Sequence, residues 1–587
     1  MIESSGRARL ESALPWPQHR AANGTTPPAA ASVLGRDDVR ALDAATIATG
    51  TPALELMERA GAAIARELAG IGGLTAKMDS RRPRLLVLAG CGNNGGDGFV
   101  VARLLARTHW RCTVALCAGE PRAGGEAAVN LDLWRRSAGR VIDICAAREA
   151  IESAEPQFDL ILDALLGTGL DRPVDAALAD IIHRLNFRAL RPRPPTVVAV
   201  DIPSGLCADS GLALGCAVRA SATVALGAYK TGLFVGEGPD YAGRLLVADI
   251  GLLPPFEAGV STAGLALDAL STAGSLAAPS PMAHKGSRGH VLVVAGSRGK
   301  SGAAVLCARA ALRGGAGLVT VAVPQSQQAV VAASIAEVMT AALPEDEAGA
   351  FSEACADRLD ALIEVADSIV FGPGAGTGPG AAALLRAILT KARCPVVLDA
   401  DGLNLGCLLG RDERRRLSVA RASQAMGPVV LTPHPGEMGR LVEASTAEVQ
   451  ASRLEYAAKF AKSEGCVVVL KGAGTIVTDG VRTAFNTSGN AGMAAAGMGD
   501  VLAGVVGALA ARCPDIVDAA CLAVYSHGVA GDFCAYGRAA STGAALRLGF
   551  EEDFDVARNV VGSRLLAGFL AGEVADAIPA ALAGLCA

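Results

Sequence analysis

Hydrophobic positions along the chain follow two alternating patterns. Short β-branched runs that end in glycine open into stretches with apolar residues every three or four positions, at 84–98 and the segment after it and at 290–302 followed by 303–312. Strand, glycine loop and helix in that order build a parallel α/β layer. Further buried strands are expected at 112–116, 160–162 and 196–200, spaced by helix-length segments such as 124–136 and 174–185. In the second half they fall at 318–323, 368–371, 396–398, 429–431 and 467–470. Residues 34–72 predict a helical hairpin, because Leu42, Ile47, Leu54, Met57 and Ile64 recur at helical spacing around Gly50, Thr51 and Pro52. From about residue 499 the pattern predicts Ala-rich helices. The stretch 253–282, rich in Pro, Gly, Ala and Ser, lacks periodicity and marks a junction. The fold class is therefore α/β with two doubly wound domains, 34–253 and 254–587. Residues 1–33, with Pro15, Pro17, Pro27 and Pro28, read as a disordered extension.

Composition narrows the picture. Of 587 residues, 51% are hydrophobic and 19% charged, with 70 Gly and only 4% aromatic, so the core is Ala, Val and Leu packed closely and the chain is not disordered. The balance of 53 basic against 58 acidic residues, a net charge of −5, provides no global field for nucleic acid or an anionic membrane. Any anion must be bound locally. Mean hydropathy is +0.37, yet no run of about 18 residues is free of charged or strongly polar groups, so no membrane span is expected. The N-terminus carries Glu3, Arg7, Arg9 and Glu11 and no apolar signal core. Its 15 cysteines are odd in number and scattered without a C-x-x-C pair, which fits a reducing cytoplasm better than a metal–thiolate site. Only eight of the 53 basic residues are Lys, so Lys230 and Lys471 stand out.

In the first half, Gly90-Cys91-Gly92-Asn93-Asn94-Gly95 is a G-x-G-x-x-G between a strand and a helix, the dinucleotide fingerprint in its expected context. It continues as Gly96-Asp97-Gly98. Asn93, Asn94 and Asp97 are acceptors that a pyrophosphate would not want, so the loop suits a cation or a sugar hydroxyl, or else is a tight Asn-Gly turn. Asp163-Ala164-Leu165-Leu166-Gly167-Thr168-Gly169-Leu170 and Asp201-Ile202-Pro203-Ser204-Gly205-Leu206 also follow strands, where open α/β sheets bind ligands. Oxygen donors from Asn94, Asp163 and Ser204 suit a hard cation such as K⁺. Lys230, the only Lys between Lys77 and Lys285, is an acid/base partner for Asp201 or else a surface salt bridge.

These four motifs, in this order, resemble the YjeF N-terminal family, the NAD(P)H-hydrate epimerases, over about residues 34–253. The resemblance implies a Rossmann-like domain. It implies substrate binding by Asn93, Asn94, Gly95, Gly96, Asp97, Gly167, Thr168, Gly169, Leu170, Asp171, Arg172, Pro173 and Asp201, with K⁺ at Asn94, Asp163 and Ser204. Asp201 and Lys230 are expected to be its acid/base pair.

The second half tempts a P-loop reading at Gly296-Ser297-Arg298-Gly299-Lys300-Ser301-Gly302, but the spacing would require Gly where Val294 stands. The stronger anion site is Gly497-Met498-Gly499-Asp500, where backbone N–H groups open an apolar helix. An Asp there is a general base or an N-cap. Lys471-Gly472-Ala473-Gly474-Thr475 follows a strand and starts a hairpin with its turn at Asp479-Gly480, placing a Lys near a nucleotide. In Thr432-Pro433-His434-Pro435-Gly436-Glu437 two prolines fix His434 at the sheet's mouth. Gly372-Pro373-Gly374-Ala375-Gly376 and Asp399-Ala400-Asp401-Gly402-Leu403-Asn404 complete the ring of loops.

With His284-Lys285-Gly286, 314–319 and 489–493, this set is similar to the YjeF C-terminal family, the ADP-dependent NAD(P)H-hydrate dehydratases of ribokinase-like fold. The resemblance implies hydrate binding at Ala303, Gly374, His434 and Asp500, and ADP at Lys471, Gly472, Ala473, Gly474, Thr475 and Gly499. Which of Ala303 and Ala304 faces the ligand stays open, and Arg298-Gly299-Lys300 departs from the family pattern. The expectation is a bifunctional, cytoplasmic, homo-oligomeric repair enzyme acting on hydrated NADH and NADPH (NADHX and NADPHX). ADP is its co-substrate, with K⁺ in the first domain and Mg²⁺ in the second, and Asp500 is the catalytic base. The alternative is an ATP-dependent ribokinase-like kinase of a small molecule fused to a nucleotide-binding domain.

Overall fold

Apolar runs of three to seven residues become the strands of parallel sheets. The structure is a computed structural model and describes residues 31–69, 82–153, 157–191, 194–272, 280–409, 426–536 and 568–585, with isolated positions between them. The chain divides into two compact units between Ala266 and Leu267, inside the aperiodic 253–282 stretch. Both are doubly wound α/β units.

The first unit contains β1 (Ser32–Leu34), β2 (Arg84–Ala89), β3 (Arg111–Leu116), β4 (Arg140–Asp143), β5 (Leu160–Ala164), β6 (Thr196–Val200), β7 (Ala222–Leu226), β8 (Tyr229–Lys230), β9 (Arg244–Ala248) and most of β10 (Gly264–Leu267). Seven of them form one sheet in the order β4-β3-β2-β5-β6-β7-β9. Every pairing in it is parallel. Central β2 is buried from Leu85 onward, as a strand covered on both faces must be. The chain winds from β2 out to β4, then returns to β5 on the other side of β2. Such a reversal leaves a crevice at the carboxyl ends of the two central strands. The loops bordering it carry Asn94 and Gly167.

Strand β1 pairs with β10 (Val33↔Gly264) and with β8 (Leu34↔Lys230). Val33 and Leu34 are fully buried. This corrects the boundary expected for the extension: strand partners on both sides and two buried side chains order the chain from Ser32, while residues 1–30 lie outside the described residues. The predicted hairpin is present as the helices Arg36–Ala48 and Ala53–Ala69.

The second unit contains β11 (His290–Val294), β12 (Leu318–Pro324), β13 (Met339–Leu343), β14 (Ser368–Phe371), β15 (Val396–Leu398), β16 (Val429–Leu431), β17 (Val467–Leu470), β18 (Ile476–Thr478) and β19 (Thr483–Asn486). They lie in the order β13-β12-β11-β14-β15-β16-β17-β18-β19. Pairing is parallel up to β17 and antiparallel beyond it. Here the reversal falls between β11 and β14. The helices Ser301–Arg313 and Met498–Ala510 pack against each other. Their contact is built from small residues: Gly504 faces Cys307 and Ala310, and Gly314, just after the first helix, faces Ala508, and this is where the high Gly and Ala content is used. Among the described residues no helix is long and apolar enough to cross a membrane.

Candidate functional site

In the first unit the glycine loop is folded tightly onto the end of β2. A Cβ at Gly95 would lie 2.1 Å from the Gly90 carbonyl oxygen, so only glycine lets the helix Asn93–Ala106 begin directly over the strand. Asn93 is exposed and Asn94 half-buried. Asn94 Nδ2 donates to the Leu166 carbonyl at 3.1 Å, which ties the two loops of the crevice together. Asp163, expected just after its strand, is instead the fourth residue of β5 and fully buried. Its carboxylate accepts from Ser204 N at 2.8 Å and from Ser204 Oγ at 2.5 Å, and Ser204 Oγ accepts from Leu166 N at 2.8 Å. Burial pushes the Asp163 carboxyl up to about 6 against the pull of the Ser204 hydrogen bonds. Asn94, Asp163 and Ser204 thus converge around Leu166. A buried carboxylate with no cationic partner among the described residues, set among hard oxygen donors, fits K⁺.

The Gly167 end of its segment lies against Asn94, a Cβ there coming within 3.3 Å of that side chain. Thr168 and Leu170 are half-buried, whereas Gly169, Asp171, Arg172 and Pro173 form an exposed rim. Asp201 adopts φ +69°, a costly backbone conformation for a residue other than glycine. Lys230 is fully buried, which excludes the surface salt bridge. Its ammonium donates to Asp201 Oδ1 and to the carbonyls of Leu226 at 3.0 Å and Ala228 at 2.9 Å. All three of its N–H bonds are used. Asp97 is 7% exposed. Burial, then Asp201 and Asp43, hold its carboxyl well above the usual range. Sequence reasoning missed Asp43. The signal was available: Val39, Leu42 and Thr46 are the buried stripe of the helix Arg36–Ala48, and Asp43 falls on it.

In the second unit the site forms around Lys471. Its Nζ donates to Asp399 Oδ1 at 2.7 Å and lies 3.7 Å from Glu437 Oε2. Burial acts to lower the ammonium's pKa, but Asp399 and Glu437 outweigh it and hold it above the ordinary value. Asp399 is 1% exposed and also accepts from Thr432 Oγ1 at 2.7 Å. Glu437 links this pair to His434, accepting from the His434 backbone N at 2.8 Å. His434 Nδ1 caps the helix Pro435–Val442, accepting from Gly436 N at 3.0 Å and Glu437 N at 3.3 Å. The ring proton is therefore on Nε2, which lies 3.5 Å from Glu437 Oε1 on the exposed imidazole.

The helix Met498–Ala510 starts at Gly497 with no side-chain cap, so its first N–H groups remain available to an anion. Asp500 sits in that first turn. Burial and then Asp399 push its carboxyl up to about 6, with Lys471 opposing and Asp401 adding. The loop Lys471–Thr475 is held from beneath by Arg453, which is 5% exposed and donates to the carbonyls of Ala473, Leu470 and Lys471. Gly472 and Ala473 are exposed, Gly474 is half-buried and Thr475 buried. At the other edge Gly374 meets Lys300 and Ala303, whose Cβ would lie 3.3 Å from a Cβ at Gly374. Ala304 is fully buried, so Ala303 is the one that faces outward. The unusual Lys300 reaches Asp401 Oδ2 at 3.3 Å. Asp401 also accepts from Gly376 N at 2.9 Å. Arg453 was not singled out from the sequence, because a buried charge that supports a loop leaves no spacing pattern.

Among the described residues no group of three or more His, Cys, Asp or Glu is arranged to hold a metal ion by itself. Asp399, Asp401 and Asp500 nevertheless accumulate negative charge that Lys471 and, at Asp401, Lys300 oppose only in part, which fits a divalent cation arriving with a nucleotide.

The chain is similar to known proteins along most of its length. A family model described as YjeF-related protein N-terminus matches residues 53–232, and one described as NAD(P)H-hydrate dehydratase matches 291–548. A bifunctional NAD(P)H-hydrate repair enzyme of Moorella thermoacetica is 39% identical over 489 residues, covering 82% of this chain and 88% of that one. The Escherichia coli enzyme of the same description is 36% identical, covering 77% and 80%, and that of Leishmania major 36%, covering 82% and 85%. Among solved structures, an ADP/ATP-dependent NAD(P)H-hydrate dehydratase from Bacillus subtilis aligns with 54% of this chain and 97% of its own at 25% identity and TM-score 0.41. With both halves matched in order and full-length relatives at this identity, the chain belongs to the family of bifunctional NAD(P)H-hydrate repair enzymes.

Proposed function

We propose that the first unit interconverts the R and S forms of hydrated NADH and NADPH and that the second dehydrates the S form, converting ADP to AMP and phosphate. The observation that carries the second assignment is Asp500 in the uncapped first turn of an apolar helix, beside a Lys held by Asp399. A carboxylate at an anion site is repelled by its ligand unless it takes a proton.

Hydroxide is a poor leaving group. Asp500 accepts the proton of the C6 hydroxyl as its oxygen bonds to the β-phosphorus of ADP and the bond to AMP breaks. The N–H groups of Met498, Gly499 and Asp500 and the helix dipole stabilise the transferring phosphoryl group. The ring-nitrogen lone pair then expels phosphate, and loss of a C5 proton restores the dihydropyridine. His434 Nε2–H, Gly374 and Ala303 border the hydrate, and Lys471–Thr475 and Gly499 the nucleotide. Mg²⁺ carried by the nucleotide would supply charge neutralisation beside the negative field of Asp399, Asp401 and Asp500.

In the first unit, Asn94, Asp163 and Ser204 would hold K⁺, which supplies the charge that Asp163 lacks. Asn93 to Asp97, Gly167 to Pro173 and Asp201 border the hydrate. Lys230 positions Asp201, donating to Asp201 Oδ1 and to the carbonyls of Leu226 and Ala228. Every cysteine among the described residues is a free thiol, which supports a reducing, cytoplasmic setting.

The test is incubation of the full chain with separated R and S hydrates, with and without ADP, following reduced-nicotinamide absorbance and AMP release. S hydrate with ADP is expected to yield NAD(P)H, AMP and phosphate in equal amounts, and R hydrate to yield them after epimerisation. ATP-dependent phosphorylation of a small alcohol, with no hydrate turnover, overturns the reading in favour of a kinase.

A further inference from the structure

The epimerisation centre contains two carboxyls for which Lys230 provides no ion pair. The helix Arg36–Ala48 is seated beside Lys230: Leu34, just before it, pairs with Lys230 across β1 and β8, and Arg36 N donates to Asp209 Oδ1 at 2.7 Å. Further along, Thr46 Oγ1 accepts from Leu253 N at 3.1 Å. Between these anchors Asp43 occupies the inward stripe with Val39, Leu42 and Thr46, where a helix with only a structural role would place an apolar residue. Asp97 approaches from the start of the helix Asn93–Ala106. It is more than nine-tenths buried, and no hydrogen bond or ion pair to its carboxyl exists among the described residues.

Asp43 is within electrostatic reach of Lys230 and Asp201, and Asp97 of Asp201, Asp43 and Lys230. Three carboxyls therefore share a site with one ammonium, and that ammonium is fully hydrogen-bonded to Asp201 and two carbonyls. Like charges crowded in a low-dielectric site keep a proton among them. Burial, with Asp201 adding and Lys230 opposing, pushes the Asp43 carboxyl up to about 6. Asp43 is also less buried than Asp97, so it is the member open to a ligand.

We propose that Asp43 is a further catalytic residue of the epimerase, the proton-carrying acid that works opposite the Lys230-held carboxylate of Asp201. Asp43 protonates the C6 hydroxyl, the C6–O bond breaks with release of water, and the ring-nitrogen lone pair forms the C6=N1 bond. Water then adds to the other face of C6, the C6=N1 electron pair returns to nitrogen, and the water's proton passes to Asp201. Asp201 then gives that proton to solvent and Asp43 takes one back before the next turnover, so no net proton is consumed. No oxidant or further co-reactant is consumed. The inference rests on the epimerase reading of the first unit.

The experiment uses the full-length enzyme and its Asp43→Asn and Asp43→Glu variants with pure R hydrate, reading epimer interconversion without ADP. Asp43→Asn is expected to lower kcat by about 100-fold or more, with KM within about twofold. Asp43→Glu should recover part of the rate. The alkaline limb of the wild-type pH profile, where Asp43 loses its proton in the field of Lys230, Asp201 and Asp97, should be missing from the residual activity of Asp43→Asn. ADP-dependent dehydration of S hydrate should be unchanged in both variants and reports that the second unit is folded. A kcat within about threefold of wild type in Asp43→Asn overturns the proposal, as does a loss confined to KM. If Asp43→Asn unfolds the first unit, a wild-type profile without an alkaline limb overturns it. Wild-type enzyme that does not interconvert the epimers at all overturns the epimerase reading instead.

Discussion

Lys471 Nζ lies 2.7 Å from Asp399 Oδ1, and the pair closes off the space in front of Gly499. A Cβ at Gly499 would come within 3.2 Å of the ammonium and 3.6 Å of Asp399 Oδ2. Gly499→Ala is therefore expected to displace Lys471 and crowd the helix N-terminus. ADP-dependent dehydration should fall by about 10-fold or more while epimerisation stays at the wild-type rate. Parallel assays of the two activities on one preparation check this.

Replacing the cation itself separates binding from support. Lys471→Met removes the charge that Asp399 and Glu437 face, so the KM for ADP should rise by about 10–100-fold. Asp399 is buried, and losing its partner should also lower thermal stability by about 3–5 kcal/mol. Titration with ADP and thermal unfolding read the two effects independently.

Arg453 predicts a loss of shape and not of charge. Its guanidinium holds three carbonyls of the Leu470–Ala473 segment from a buried position. Burial depresses its pKa to about 10. Arg453→Lys keeps the charge but cannot span those acceptors, so it should raise the KM for ADP nearly as much as Arg453→Met. Full rescue by Lys would show that charge alone matters there.

Asp500 opposes activity to stability. Its folded-state carboxyl sits near 6, above the ordinary 3.8. The stability this contributes is complete below about pH 3.8 and is lost as pH rises through about 6. The catalytic form is the ionised one, so dehydration should fall about tenfold per unit below pH 6. Asp500→Asn should abolish dehydration, spare epimerisation, and stabilise the enzyme by about 1–2 kcal/mol near pH 8, with that gain vanishing toward pH 4. Rate profiles and melting temperatures across that range test both signs.

Ser204 predicts the cation dependence of epimerisation. Ser204→Ala removes the 2.5 Å hydrogen bond to buried Asp163 and should cost about 1–3 kcal/mol. It should also flatten the response of the epimerase to added K⁺ while leaving dehydration unchanged. An unaltered K⁺ titration contradicts the assignment of that site.

Most parallel strands were legible because both faces are buried: β5, β6, β14, β15, β16 and β17 each carry a run of three or four buried apolar residues. Strands β4 and β13 were not legible. They are edge strands in which Arg140 and Met339 face solvent, so no continuous apolar run marks them. The loop motifs followed the strand–loop–helix order: Lys471 comes directly after β17, Ser204 lies in the loop after β6, and Asn94 and Asp500 fall in the first turns of the helices Asn93–Ala106 and Met498–Ala510, whereas Asp163 is inside β5. Glycine, Asn and Asp recur where backbone must turn tightly.

The sequence by itself determined two α/β units, the order of their loops, and the family, because burial periodicity and turn chemistry are local properties. Only the tertiary structure decided which side chains share a charge environment. Asp43 enters the Lys230 site from a helix far away in sequence, Arg453 supports a loop it does not adjoin, and Ala303 faces outward while Ala304 is buried. Protonation and access depend on distance and burial, which strand pairing and helix packing impose only after residues remote in sequence have been brought together.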